Sequence, residues 1–122
     1  MFHIYDAAEN HVATVEDPLR FYTAQGREVG HVDEGGGVYT AAGDRKAQID
    51  DSWAVYANDG TRLGVMDDAG RLESNAGRLV ASLDGCWVCD AGGQRLLRLD
   101  TDAPDLLRKA AIVLALNLFE RP

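Results

Sequence analysis

The chain has 122 residues, 46% of them hydrophobic, and a formal charge of −8 from 12 Lys and Arg against 20 Asp and Glu. That length suits one domain, 1–122, and the apolar content supports a packed core rather than disorder. The negative balance, with no run of Lys or Arg, argues against nucleic acid or an anionic membrane as partner, because both are held through clustered cations.

Taken in order, the chain is a repeat from its first residues. Turn glycines fall at Gly26, Gly43, Gly60, Gly77 and Gly93, spaced 17, 17, 17 and 16 residues apart. One step of 17 back from Gly26 reaches Glu9, so there are six units. Five residues before each turn position stand Ile4, Phe21, Val38, Val55, Leu72 and Val88. One further on are Tyr5, Tyr22, Tyr39, Tyr56, Glu73 and Cys89. Three after it come Val12, Val29, Lys46, Leu63, Val80 and Leu96, and six after it Val15, Val32, Ile49, Met66, Leu83 and Leu99. The fourth position after the turn is small in five units (Ala13, Gly30, Ala47, Gly64, Ala81) and Leu97 in the last. The seventh is always an acid: Glu16, Asp33, Asp50, Asp67, Asp84 and Asp100.

Each unit reads as a β-hairpin. In Tyr22–Arg27 the polar residues make a turn, and Gly26 sits where a three-residue hairpin loop needs a positive φ. With Thr23 opposite Arg27, Phe21 is expected opposite Val29. The second connection has the form acid-x-x-Gly, as in Asp33–Gly36 and Asp67–Gly70, with the acid accepting hydrogen bonds from turn N–H groups. Two strands per unit predict about twelve short strands in an up-and-down meander over 1–101, closed or nearly closed into a barrel or flower. The third and sixth positions after the turn are both apolar, although three residues apart means opposite faces of a regular strand. Either both faces are covered, or a bulge at the small residue turns both side chains inward.

The last stretch, 102–121, reads as a helix. Asp102 is placed as its N-cap with Pro104 in the first turn. Asp105, Arg108 and Lys109 lie on one side, while from Ala110 to Phe119 only Asn117 is polar. A helix apolar all round is expected in the core. It is too short to cross a membrane, which takes about 20 apolar residues. Asn117 is expected near an open end or hydrogen-bonded.

The pattern Y-D-x-x-G-x-x-V-G-x-V-D, as in Tyr22–Asp33 and Tyr56–Asp67, resembles the bacterial hairpin-repeat proteins called beta-flower proteins, whose function is unknown. About twelve strands followed by a very apolar helix also resembles the tubby-like fold of tubby, LURP-one-related proteins and phospholipid scramblases. The second resemblance implies a closed barrel surrounding the C-terminal helix. Six units are counted here against a four-fold flower, and the basic lipid-binding surface of tubby has no counterpart. Neither resemblance carries a functional residue onto this chain.

Three sets of residues have chemistry to offer. Cys86-Trp87-Val88-Cys89 is a C-x-x-C, half a metal site or a redox pair. It runs into a strand rather than a helix N-terminus, and Cys89 replaces the usual Tyr, so both cysteines read as structural. His3, His11 and His31 are expected to gather if the barrel closes, with unit one beside unit six and near the cysteines. The six acids of the seventh position would ring one end of a closed structure, where carboxylates can hold a cation, or else serve as turn residues. No P-loop, dinucleotide fingerprint, nucleophile elbow or recognisable Ser/His/Asp set occurs. The expectation is a non-enzymatic structural or protein-interaction module, partnered by protein or by itself, without cofactor. The alternative is a small-ligand or metal-ion binder using the barrel interior or the Cys86/Cys89 region. With Phe2–Tyr5 already in the first unit no signal peptide is expected, and the expected compartment is the cytoplasm.

Overall fold

A computed structural model describes residues 1–16, 19–116 and 118. The strands are β1 (Phe2–Asp6), β2 (His11–Glu16), β3 (Arg20–Thr23), β4 (Glu28–Val32), β5 (Gly37–Thr40) and β6 (Arg45–Ile49). They continue with β7 (Ala54–Ala57), β8 (Arg62–Met66), β9 (Arg71–Ser74), β10 (Leu79–Asp84), β11 (Trp87–Asp90) and β12 (Arg95–Leu99), followed by helix α1 (Pro104–Leu116). Each strand pairs antiparallel with its neighbours in sequence, and β12 pairs with β1 through Ile4 opposite Leu99, so the meander closes into a barrel. Closure leaves no unpaired edge, which is how strands of four to six residues become stable together.

The turn chemistry explains the repeat. At Gly26 the backbone bonds run from the Thr23 N–H to the Arg27 carbonyl at 2.8 Å and from the Gly26 N–H to the Thr23 carbonyl at 2.9 Å. This closes a three-residue loop with Gly26 at φ +90°. Glu9 holds the same place in unit one at φ +70°, as the count back from Gly26 predicts. The interval of 16 before Gly93 arises at the other end. There Asp84 and Trp87 face each other across a two-residue turn, one residue shorter than its counterparts.

Every unit carries a bulge, and it answers the alternation problem. Phe21 lies opposite Gly30 and Tyr22 opposite Glu28, so Val29 is left without a partner. Phe21 therefore does not face Val29. The extra residue shifts the register by one. Val12, Lys46, Leu63, Val80 and Leu96 are passed over in the same way. The bulge sits at the third position rather than at the small residue, and its side chain is only partly covered: Val29, Leu63 and Val80 are half-buried against the core, and the other three are exposed. Val12 and Leu96 are 38% and 44% exposed, and Lys46 is exposed. Inward instead are the residues at the fifth place before and the sixth after the turn. Phe21, Val32, Val38, Val55, Leu72 and Leu99 are all at most 1% exposed. The small fourth residue is also inward, directly opposite the large one, as Ala47 is to Val38 and Ala81 to Leu72. A small residue there leaves space inside the ring.

Helix α1 uses that space. Ala110, Ala111, Ile112 and Val113 are at most 2% exposed and belong to one buried cluster with the inward ring. Four consecutive helical residues point in all directions, so protein surrounds the helix at that level. Leu114, Ala115 and Leu116 are only partly covered. The helix begins one residue later than its sequence signals indicate. Pro104 is the first helical residue, the Leu107 N–H bonds to the Ala103 carbonyl at 2.9 Å, and the Thr101 hydroxyl accepts the Ala103 N–H at 3.3 Å. Ala103, not Asp102, therefore occupies the cap position, and proline takes the first helical place, where no N–H is needed. The expected extension to Phe119 or Arg121 and the role given to Asn117 lie outside the described residues. No helix among the described residues is long and apolar enough to cross a membrane.

Candidate functional site

The barrel has two unlike ends. One carries the glycine loops around Glu9, Gly26, Gly43, Gly60, Gly77 and Gly93. The other carries the acid-led turns and the first two turns of α1, and the departures from the repeat collect there. In three successive turns Gly36, Trp53 and Gly70 hold the same place. Their carbonyls accept the N–H groups of Ile49, Met66 and Leu83 at 2.8–3.0 Å. Their φ angles are +87°, +67° and +84°. Glycine adopts this left-handed backbone freely, but for tryptophan it is a strained outlier. The Trp53 ring is held from above by Arg108, whose guanidinium carbon is 4.6 Å from the ring centroid. Arg108 Nη2 also donates to the Asp67 carbonyl at 2.8 Å and the Met66 carbonyl at 3.4 Å. Its Nε is buried with no hydrogen-bond partner.

Beside Trp53 lies a cavity of about 320 Å³, walled by Glu34, Gly36, Asp50, Asp51, Asp105 and Lys109 among others. A second, of about 410 Å³, lies against Cys86, Leu99 and the chain leading into the helix. The sequence placed Asp105, Arg108 and Lys109 on one helical side but gave no sign of what they meet. Trp53 was missed, although aligning the units shows a tryptophan where its neighbours carry glycine.

The structure gives each sequence candidate a definite place. Asp33, Asp50 and Asp67 spend their carboxylate oxygens on turn N–H groups: Gly37 at 2.8 Å, Ser52 and Ala54 at 3.0 and 2.9 Å, and Ala69 and Arg71 at 3.0 and 2.9 Å. Slight burial pulls the Asp50 pKa upward, but the bonds from Ser52 and Ala54 outweigh it and hold the carboxyl below its ordinary value. On the glycine-loop end Asp6 is held low in the same way, first by the Asn10 N–H. These acids are turn acceptors.

The cysteines are both free thiols and sit on unlike surroundings. Cys89 is 3% exposed, and burial pushes its thiol pKa up, away from the reactive thiolate. Cys86 is half-buried in the turn before β11.

Closure brings β1 beside β12, but only two of the histidines come together. His3 and His11 lie on the outer face of the first hairpin with ring centroids 5.1 Å apart. His31 is elsewhere, stacked on Tyr39 at 5.0 Å and 11°. The gathering of all three is therefore corrected: β4 is carried away by the intervening β3, and its His31 packs on β5. The cysteines stand on the far side of β12. Among the described residues no group of three or more His, Cys, Asp or Glu is placed to hold a metal ion.

The outer face carries the aromatic row. Tyr5, Tyr22, Tyr39 and Tyr56 each follow an inward residue and so point outward, all half-buried. Arg98 caps the Tyr5 ring at 4.5 Å. Glu73 and Cys89 interrupt the row in units five and six. No family model, no curated protein and no solved structure matches this chain.

Proposed function

We propose that the protein is a non-enzymatic structural or protein-interaction module, working in the cytoplasm without nucleic acid or membrane as partner. The observation that carries this reading is the tyrosine row on β1, β3, β5 and β7. A closed barrel offers no strand edge for pairing, so recognition falls to side chains on its wall. Half-buried tyrosines give large contact area at small entropic cost, and aromatic residues are enriched where proteins meet. The partner is another protein or a second copy of this chain.

The test is a photo-crosslinking residue at Tyr39, compared with the same label at the exposed loop residue Gln25. Crosslinks specific to Tyr39, lost when Tyr22 and Tyr56 are changed to Ser in a chain that keeps its circular dichroism, are the expected result. Equal labelling from both positions removes the reading. The cavity beside Trp53 favours the second reading, a small-ligand or metal-ion binder. Native mass spectrometry of the full chain, looking for a bound mass that Trp53→Gly removes, separates the two.

A further inference from the structure

We propose that His3 and His11 form a surface site for one divalent transition-metal ion, zinc being the reference case, with solvent completing the coordination. This goes beyond the wall-recognition reading and does not depend on it.

The ring geometry comes first. Two imidazoles sharing one tetrahedral ion, each nitrogen about 2.0–2.1 Å from the metal, have ring centroids roughly 5 Å apart. The observed separation is 5.1 Å, with the planes at 65°. At 65° the two planes are not stacked as those of His31 and Tyr39 are.

The backbone holds this geometry before any ion arrives. His3 is directly opposite Thr14 and Tyr5 directly opposite His11, so the two histidines are diagonal neighbours on one face. The bulge at Val12 fixes which residues of β2 meet β1. Closure fixes β1 from the other side, through Ile4 to Leu99 and through the Asp100 N–H to the His3 carbonyl at 2.9 Å. Neither strand can slip without breaking the barrel.

A hydrogen bond to the Thr14 hydroxyl holds one ligand ring in place. His11 Nε2 is 2.9 Å from the Thr14 hydroxyl. With Nε2–H donating to that oxygen, the lone pair of the neutral ring sits on Nδ1, the nitrogen left to bind a metal. Thr14 is thus a positioning residue. Arg98 lies over the neighbouring Tyr5 ring and is balanced by Glu9, whose Oε1 is 3.3 Å from Arg98 Nε. The formal charge of −8 favours a cation on the surface at large. Imidazole suits zinc, copper and nickel, and not calcium or magnesium, which take oxygen ligands.

The experiment is calorimetric titration of Zn2+ into the full chain, with Co2+ as a spectroscopic substitute whose visible absorption reports tetrahedral coordination. One ion per chain is expected. His3→Asn and His11→Asn each weaken binding at least tenfold, Thr14→Val weakens it by about tenfold while keeping both ligands, and His31→Asn leaves it unchanged. All four side chains lie on the outer wall, and circular dichroism checks that each variant keeps its strands. The proposal is overturned by an absence of saturable Zn2+ binding, by full affinity in His11→Asn, or by a loss in His31→Asn equal to that in His3→Asn.

Discussion

The glycine-loop end and the helix end of this barrel are built from the same hairpins, yet only one of them keeps the repeat. At the glycine-loop end the turn residue has φ between +70° and +91° in all six units, and five of the six are glycine. At the helix end one equivalent place holds Trp53, the last turn is shortened around Gly85, and the chain leaves β12 to enter α1. The cavities and the Arg108–Trp53 contact are at this second end. Regular units state what the barrel needs to close. Departures from them cost local strain, and strain that persists marks where the molecule does more than close.

The largest effect should come from breaking what the helix end inserts. Ile112 is 0% exposed at the level where α1 is surrounded, so Ile112→Asp buries an unpaired carboxylate. The cost is expected to match the whole net stability of a domain, about 5–15 kcal/mol. Loss of the near- and far-ultraviolet circular dichroism signals together is the expected result. Leu114→Asp, only half-buried, should be less damaging, and a reversal of that order would mean that α1 is not held at its centre.

Next comes a matched pair of glycines. Gly36 and Gly60 share nearly the same backbone, φ +87° and +88°. A Cβ at Gly60 meets nothing within 4 Å, while one at Gly36 runs into the Ile49 carbonyl oxygen and the Gln48 side chain. Gly60→Ala should cost only the left-handed strain, about 1–2 kcal/mol. Gly36→Ala should cost that plus a displaced strand end, at least about 1–3 kcal/mol more. Urea midpoints at unchanged slope measure both. Equal costs would show that the two ends tolerate crowding alike.

The smallest effect sharpens the comparison most. Trp53→Gly restores the residue its neighbours use, relieving strain of about 1–3 kcal/mol while losing a cation–π contact of about 0.5–2 kcal/mol. These two terms nearly cancel, and the net loss should be what the half-buried ring contributes by packing against the core. Trp53→Ala loses the contact and keeps the strain, so it should be less stable than Trp53→Gly by about 1–2 kcal/mol. Indistinguishable midpoints for the two would mean that the backbone at residue 53 relaxes once the ring is gone.

Much of the fold was legible because hairpin turns are local. The glycines, the spacing of 17 residues and the alternating apolar positions depend on neighbours a few residues away, and they foretold twelve strands, the positive φ at Glu9 and the buried helix. Asp33, Asp50 and Asp67, three of the six seventh-position acids, were also readable as turn acceptors, since an Asp oxygen reaches its own turn. The bulge was not: Val29 looks like a paired core residue in sequence, and only strand pairing reveals that it is passed over and left half-buried at the edge of the core. The cap of α1 moved from Asp102 to Ala103 because the chain leaving β12 is held first by Thr101. Pairwise proximity lay further still beyond the sequence. His3 and His11 meet because β1 and β2 are locked in register, while His31 packs on β5. Arg108 reaches Trp53 across more than fifty positions of chain. Sequence determines what each seventeen-residue unit prefers to do alone. Which units close on each other, and which side chains then share a surface, is decided by the barrel as a whole, because closing a ring fixes every register at once.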